Sequence, residues 1–322
     1  MLPFLRPLLC STALLLAPLA HAQVQLLASI KPLQLIAAAV QDGVGQPDVL
    51  LPPGASPHHF ALRPSDVRRV QQAELLYWIG PDMESFLPRV LQGRRESYVA
   101  VQDLPGMTLR HFGEVHAHDD HDHDHDHDHD HGGAPEEHNE LHGDHDHRPG
   151  SLDAHLWLLP ANAKLIAARM AADLAERDAD NAARYQANAK AFAQRLDVLD
   201  ARIKARLAPL KDKPFFVFHE AFDYFEAGYG LQHAGVFSVQ GDVQPGARHV
   251  AAMRERLQEA GPSCVFSEPP LRPRLAQTLS AGLPVQLAEL DALGGDLPVS
   301  ATGYEQLLEN LAQGLSSCLE KL

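Results

Sequence analysis

Short apolar runs alternate with amphipathic stretches along most of the chain, and this alternation occurs twice. Each run is bounded by Pro, Gly or Asp, as is typical of buried strands. Helical stretches lie between them, including one that begins at Pro64 and others over residues 246–260 and 273–281. The runs are VQLLASI, PDVLLP, ELLYWIG and SYVAVQD in the first half, and FFVFHE, AGVFSV, SCVFSE and PVQLAEL after Pro214. The pattern predicts an α/β fold of two doubly wound lobes, each with a mostly parallel sheet.

One long helix is predicted between the two halves, over residues 180–208. Its apolar side chains recur at alternating steps of three and four, which places them on one stripe, and Pro209 ends the helix. A coiled-coil partner could cover that stripe, but packing along both lobes is the simpler expectation, and a rigid connector favours small lobe motions. The stripe consists of Tyr185, Ala189, Phe192, Leu196, Leu199, Ile203 and Leu207.

The first 22 residues have the features of a secretory signal peptide. Arg6 supplies positive charge, a short apolar core follows, and Ala20-His21-Ala22 provides a cleavage pattern. A lipid anchor on Cys10 is the weaker alternative, because Leu9 stands where a small residue would be wanted. We therefore expect a soluble, exported chain that begins near Gln23, with an N-terminal lobe over 23–179 and a C-terminal lobe over 209–322.

Two cysteines remain once that segment is removed, Cys264 in an apolar run and Cys318 near the C-terminus. An even pair in an oxidising compartment predicts a disulfide, which would tie the last helix to the sheet. Two buried free thiols are the alternative. Metal ligation is disfavoured because neither cysteine has a second close Cys or His.

Residues 111–150 form a predicted disordered loop in which histidine and acid alternate without a hydrophobic face. The loop holds 13 of the acidic residues that give the chain its formal charge of −15, so the rest is nearly neutral and offers no basic stripe for nucleic acid. A solvated acidic linker is one interpretation, but a tether does not need imidazole, which transition metals prefer. The predicted weak metal sites are His116, His118, His121, His123, His125, His127, His129 and His131.

Three histidines outside the loop stand at predicted strand ends, where ligands collect in doubly wound sheets. His58 lies in a Pro- and Gly-rich turn, His155 follows the loop, and His219 ends the strand FFVFH. Each could instead be an ordinary core or surface histidine, as we expect for His233 and His249. No local spacing rule joins the three.

Five motifs together resemble the zinc-uptake (ZnuA-type) periplasmic binding proteins of ABC transporters: GASPHHFALRPSD, DAHLWLLP, FVFHEAFDYF, VQPGARHV and CVFSEP. The resemblance runs from about residue 25 to the C-terminus and includes the histidine-rich loop. It implies two lobes joined by a long helix, Zn²⁺ held in the cleft by His58, His155 and His219, and delivery to a membrane permease and ATPase. The protein is then periplasmic and is expected to be a monomer.

The sequence departs from many such relatives at Pro57, where they have a Glu before the first ligand histidine. Water is therefore the first choice for the fourth zinc ligand. Asp291 resembles the carboxylate that binds manganese in related proteins, and is a candidate weak or indirect ligand. Three imidazoles suit zinc and would also accept copper or nickel. The choice of zinc thus depends on the resemblance.

The loop is expected to collect zinc weakly and raise its concentration near the cleft. Two other functions remain open. A secreted metal-storage or chaperone protein would do all its binding with the loop. A zinc hydrolase could use Glu220 beside His219 as its base, but no nucleophile motif or HExxH arrangement is present, so an enzyme is not expected.

Overall fold

The computed structural model describes residues 24–113, 150–238, 247–269 and 274–322. The first half is built on a parallel sheet with the strand order β2-β1-β3-β4. Its four strands are the four apolar runs predicted there, and α2 begins at Pro64, where a helix needs no backbone N–H donor. The elements are β1 (Leu26–Ala28), α1 (Lys31–Val40), β2 (Asp48–Val49), α2 (Pro64–Gln72), β3 (Leu75–Trp78), α3 (Pro88–Leu91) and β4 (Ser97–Ala100).

A short antiparallel pair, β5 (Arg110–His111) and β6 (Leu152–Asp153), follows this sheet. The signal peptide and the eight loop histidines predicted from the sequence lie outside the described residues. After β6 come two long helices, α4 (Pro160–Arg177) and α5 (Ala182–Leu207). Among the described residues, no helix combines the length and apolar character that crossing a membrane requires.

Helix α5 is the long connector predicted from the apolar stripe, and it is 26 residues long. Six of the seven stripe residues are buried, and the seventh, Ala189, packs against the core. The helix contacts α1 and α4 of the first half. It also contacts α6 and α9 of the second half, so it packs along both halves as expected.

The second half repeats the parallel arrangement with the strand order β10-β9-β7-β8. Its strands are the four later apolar runs, and α7 and α8 fall where helices were predicted. The elements are β7 (Phe215–His219), α6 (Asp223–Tyr229), β8 (Gly235–Ser238), α7 (Ala247–Ala260), β9 (Ser263–Ser267), α8 (Arg274–Ser280), β10 (Val285–Glu289) and α9 (Gly303–Leu319). The predicted α/β fold with two parallel sheets and a long joining helix is confirmed.

The C-terminal helix α9 connects the two halves. It packs against α1 and α5, and one continuous hydrophobic core extends through residues of both halves. The predicted disulfide is present between Cys264 on β9 and Cys318 on α9, with their Cα atoms 6.2 Å apart. The bond therefore ties α9 to the second sheet, and α9 also packs against the first half.

Candidate metal site

Three histidines that are remote in the sequence come together where the two halves meet. One ligand atom from each of His58, His155 and His219 lies within 4.8 Å of the others. The ring centroids are 5.3 Å apart for His58 and His155, 5.4 Å for His58 and His219, and 5.0 Å for His155 and His219. His58 and His155 are buried, and His219 is partly buried.

Each of these histidines is positioned by a short piece of constrained backbone. His58 follows β2 in a turn that contains three prolines, and Gly54 supplies a positive φ of 76° there. His155 stands directly before a single 3₁₀ turn, Leu156–Leu158, whose three side chains are buried. His219 is the last residue of β7, at the carboxyl end of a central strand of the second sheet.

The spacing of the imidazoles suits tetrahedral coordination. The Nε2 atoms of His58 and His155 are 3.3 Å apart. Two nitrogens bound at about 2.0–2.1 Å to one tetrahedral ion would be separated by roughly 3.3 Å. Three nitrogen ligands with a fourth position available are typical of exchangeable zinc sites. The donor set thus fits a borderline-soft divalent ion better than Mg²⁺ or Ca²⁺, which prefer oxygen.

Two carboxylates orient the imidazoles. Nδ1 of His155 lies 2.8 Å from Oδ1 of Asp153, which also accepts the backbone N–H of His155 at 2.9 Å. Nδ1 of His219 lies 3.0 Å from Oε1 of Glu268. A ligand histidine that uses Nε2 for the metal generally donates its other N–H in this way, which fixes the tautomer and the ring plane. Both carboxylates were missed from the sequence.

Burial, followed by the charge of Asp223, raises the pKa of Asp153 well above its usual range. The Asp153 carboxylate is completely buried, and its Oδ2 atom makes no hydrogen bond to the described residues. Because its environment disfavours an isolated negative charge, a cation near His155 would stabilise the ionised form of this carboxylate.

Asp291 lies in the turn after β10 and is not one of the residues whose ligand atoms converge with the three imidazoles. Its Oδ1 accepts the backbone N–H groups of Leu293 and Gly294 at 2.9 and 2.8 Å, and its Oδ2 accepts that of Gly295 at 2.9 Å. Next to it, the carbonyl of Ala292 accepts a hydrogen bond from Trp157, whose ring lies 5.4 Å from that of His155. The observed contacts of Asp291 therefore shape a loop near the site.

A second convergence involves residues that the sequence did not group. Glu220, Asp223 and His233 each offer a ligand atom within 4.8 Å of the others. Burial and then the charge of Asp223 raise the pKa of Glu220, while burial and then the charge of Glu226 raise that of Asp223. His233 was expected to be an ordinary surface or core histidine. The structure places it against acidic side chains. The only sequence signal for this contact was the acid-rich start of α6.

Fold and site together define a two-lobed α/β protein with an imidazole cluster suited to a divalent transition metal at the junction of its halves. The family model of ZnuA, the periplasmic component A of a zinc-uptake complex, matches residues 26–318. The chain belongs to this family.

Similar proteins agree with the family assignment. The high-affinity zinc uptake system protein ZnuA of Brucella suis biovar 1 (strain 1330) is 40% identical over 305 residues, which is 91% of each chain. The protein of the same name from Yersinia pestis is 37% identical and covers 98% of both chains. A crystal structure of ZnuA superposes with a TM-score of 0.73 at 22% identity, covering 92% of this chain and all of the other. A zinc-bound ZnuA with residues 138–173 deleted gives a TM-score of 0.71, also at 22% identity. These two structures support the fold.

Proposed function

We propose that this chain captures Zn²⁺ between its two lobes and delivers it to the membrane permease of an ABC importer. The observation that carries the proposal is the convergence of His58, His155 and His219 within 4.8 Å. Family membership and relatives named for high-affinity zinc uptake support zinc as the cargo. In this proposal the three Nε2 atoms bind the ion, and Asp153 and Glu268 hold two of the rings in place.

Water completes the zinc shell in this proposal, because Pro57 cannot serve as a ligand. Asp291 stays an alternative: a carboxylate oxygen has two lone pairs, so it can accept a backbone N–H and still bind a metal. Since family relatives are periplasmic, the chain is proposed to be exported with removal of residues 1–22 and to act there as a monomer. Its partners are the permease and ATPase of the importer.

The hydrolase alternative is not favoured by the position of Glu220. This carboxylate groups with Asp223 and His233 rather than with the three imidazoles. A general base would have to lie beside the water of the three-imidazole site. We therefore propose binding and transport without catalysis.

Titration of the mature chain with zinc against a strong chelating indicator tests the tight site. His58→Ala, His155→Ala and His219→Ala are each expected to abolish tight binding, because each leaves zinc with only two imidazole ligands instead of three. His111→Ala, which changes a histidine outside both side-chain groups, is the matched control and should bind as the wild type does. Tight binding that persists in all three variants would overturn the proposal.

Deleting residues 116–147 tests the proposed division between loop and cleft. The tight site should survive and the weak, quickly exchanging sites should disappear. A storage protein predicts the opposite result, namely that binding is lost with the loop.

A further inference from the structure

A second group of metal-ligating side chains begins one residue beyond His219. Glu220, Asp223 and His233 are all partly buried and present ligand atoms within 4.8 Å of one another. Oδ1 of Asp223 lies 3.7 Å from Nδ1 of His233. None of the three joins the imidazole cluster, so the role proposed for that cluster does not use them.

The charge around this group is strongly negative. Glu226 lies against His233, with both carboxylate oxygens 3.0 Å from Nδ1. The buried Asp153 interacts electrostatically with Asp223 and Glu220. Four carboxylates therefore share one partly buried region. In three of these acids, Asp153, Glu220 and Asp223, burial raises the pKa, and nearby cations partly offset that rise. The main such cations are Arg110 and the imidazoles of His219 and His233. Like charges held out of water destabilise one another unless a cation offsets them.

The buried carboxylate of Asp153 adds to the negative charge of this region. The carboxylate of Asp153 is completely buried, and its Oδ2 makes no hydrogen bond to the described residues. Buried carboxylate oxygens are almost always paired, because desolvation without a partner costs free energy. A cation near His155 would interact favourably with this charge, and so would one held by Glu220 and Asp223, which interact electrostatically with Asp153.

We propose that Glu220, Asp223 and His233 form a second divalent-cation site, separate from the imidazole cluster. Two carboxylates and one imidazole suit Zn²⁺ and are also acceptable to Mn²⁺. The imidazole of His233 is held beside these acids by Glu226, which lies against Nδ1 and also accepts the backbone N–H of His233 at 2.8 Å.

The contacts of Tyr224 locate this site relative to the first half of the chain. The Tyr224 hydroxyl accepts the backbone N–H of Arg110 and donates to the carbonyl of Asp153, both at 2.9 Å. The acidic group therefore lies beside the β5–β6 pair. In the sequence, the histidine-rich segment lies between these two strands. An ion held here would lie close to His219, which directly precedes Glu220 in the chain. The site itself does not depend on the proposed transport function.

Anomalous diffraction at the zinc edge tests the site on crystals of the mature chain grown with zinc. We expect one peak among His58, His155 and His219, and a second within bonding distance of Glu220, Asp223 and His233. His233→Gln should remove only the second peak, while the matched control His111→Gln should keep both. A Glu220→Gln/Asp223→Asn double variant provides a second test, and it too should remove only the second peak.

The absence of a second peak in the wild type would overturn the inference, and so would a second peak that survives both sets of substitutions. A missing first peak with an intact second one would instead contradict the proposed function. The first peak also reports folding, because it requires both halves to be correctly assembled.

Discussion

Replacing Glu268 by Gln should weaken zinc binding at the three-imidazole site without changing its ligands. Gln keeps the size of the side chain and can still accept the N–H of His219, so the substitution removes mainly the negative charge. Oε1 of Glu268 lies 3.0 Å from Nδ1 of His219. A zinc ion on the opposite ring nitrogen would then be roughly 6.5 Å from this oxygen, given a Zn–N distance of about 2.0–2.1 Å.

The size of the effect follows from Coulomb's law and from the exposure of the pair. A divalent ion and a carboxylate at about 6.5 Å attract by roughly 1.3 kcal/mol with the dielectric constant of water, and by about 5 kcal/mol at an effective value of 20. The Glu268 side chain is 20% exposed, so solvent screens part of this attraction. Loss of such orienting partners typically weakens metal binding about 10- to 100-fold. We expect a weakening in the lower part of that range.

Competition with a strong chelating indicator would measure this change, because excess indicator removes zinc from weak sites and reports only the tight one. Glu289→Gln is the matched control: Glu289 ends the neighbouring strand β10, and its side chain is exposed. The control should bind nearly as the wild type does. An unchanged affinity in Glu268→Gln, or an equal loss in the control, would refute the orienting role of Glu268.

Three further outcomes are expected. Zinc affinity at the tight site should fall as the pH drops through roughly 6.5, where imidazole ordinarily titrates, because zinc binds neutral imidazole. Equal affinities at neutral and mildly acidic pH in the indicator assay would contradict this. Burial alone would lower the pKa of His233, but the hydrogen bond to Glu226 and the charges of Glu226 and Asp223 raise it to about 9. Protonated His233 therefore stabilises the fold by about 3 kcal/mol at most. This contribution is complete below pH 6.5 and is lost as the pH rises through 9. Urea unfolding in chelator should show that loss in the wild type and much less of it in His233→Gln. Replacing Cys264 and Cys318 by Ala removes a cross-link across 54 residues and should lower the free energy of unfolding by up to about 4 kcal/mol. The wild type with its disulfide reduced should unfold with the same free energy as the double variant, which provides the check.

The sequence predicted the elements of this fold well because each strand and helix carries a local signal. The runs around Leu75 and Phe215 are apolar and bounded by polar or turn residues, and the stripe on α5 has a clear helical period. The β5–β6 pair was missed because each strand has only two residues and, unlike the equally short β2, lies in none of the apolar runs bounded by turn residues. Strand order was also inaccessible, since it depends on contacts between segments that are distant along the chain.

The candidate site shows the same limit. His58, His155 and His219 could be grouped only through the family resemblance, because their convergence depends on how the lobes pack. Asp153 stands two residues before His155, so a local signal existed. Glu268 pairs with His219 only because β7 and β9 are neighbours, with Val217 opposite Phe266, so that both side chains emerge at the same edge two positions later.

The shared core around α1, α5 and α9 has a consequence for how the molecule comes apart. Because α9 is bonded to the second sheet and packed on the first half, neither half can lose its structure without exposing apolar surface of the other. Heating should therefore produce one calorimetric transition rather than two. Although the architecture has two lobes, we expect the protein to unfold as a single cooperative unit.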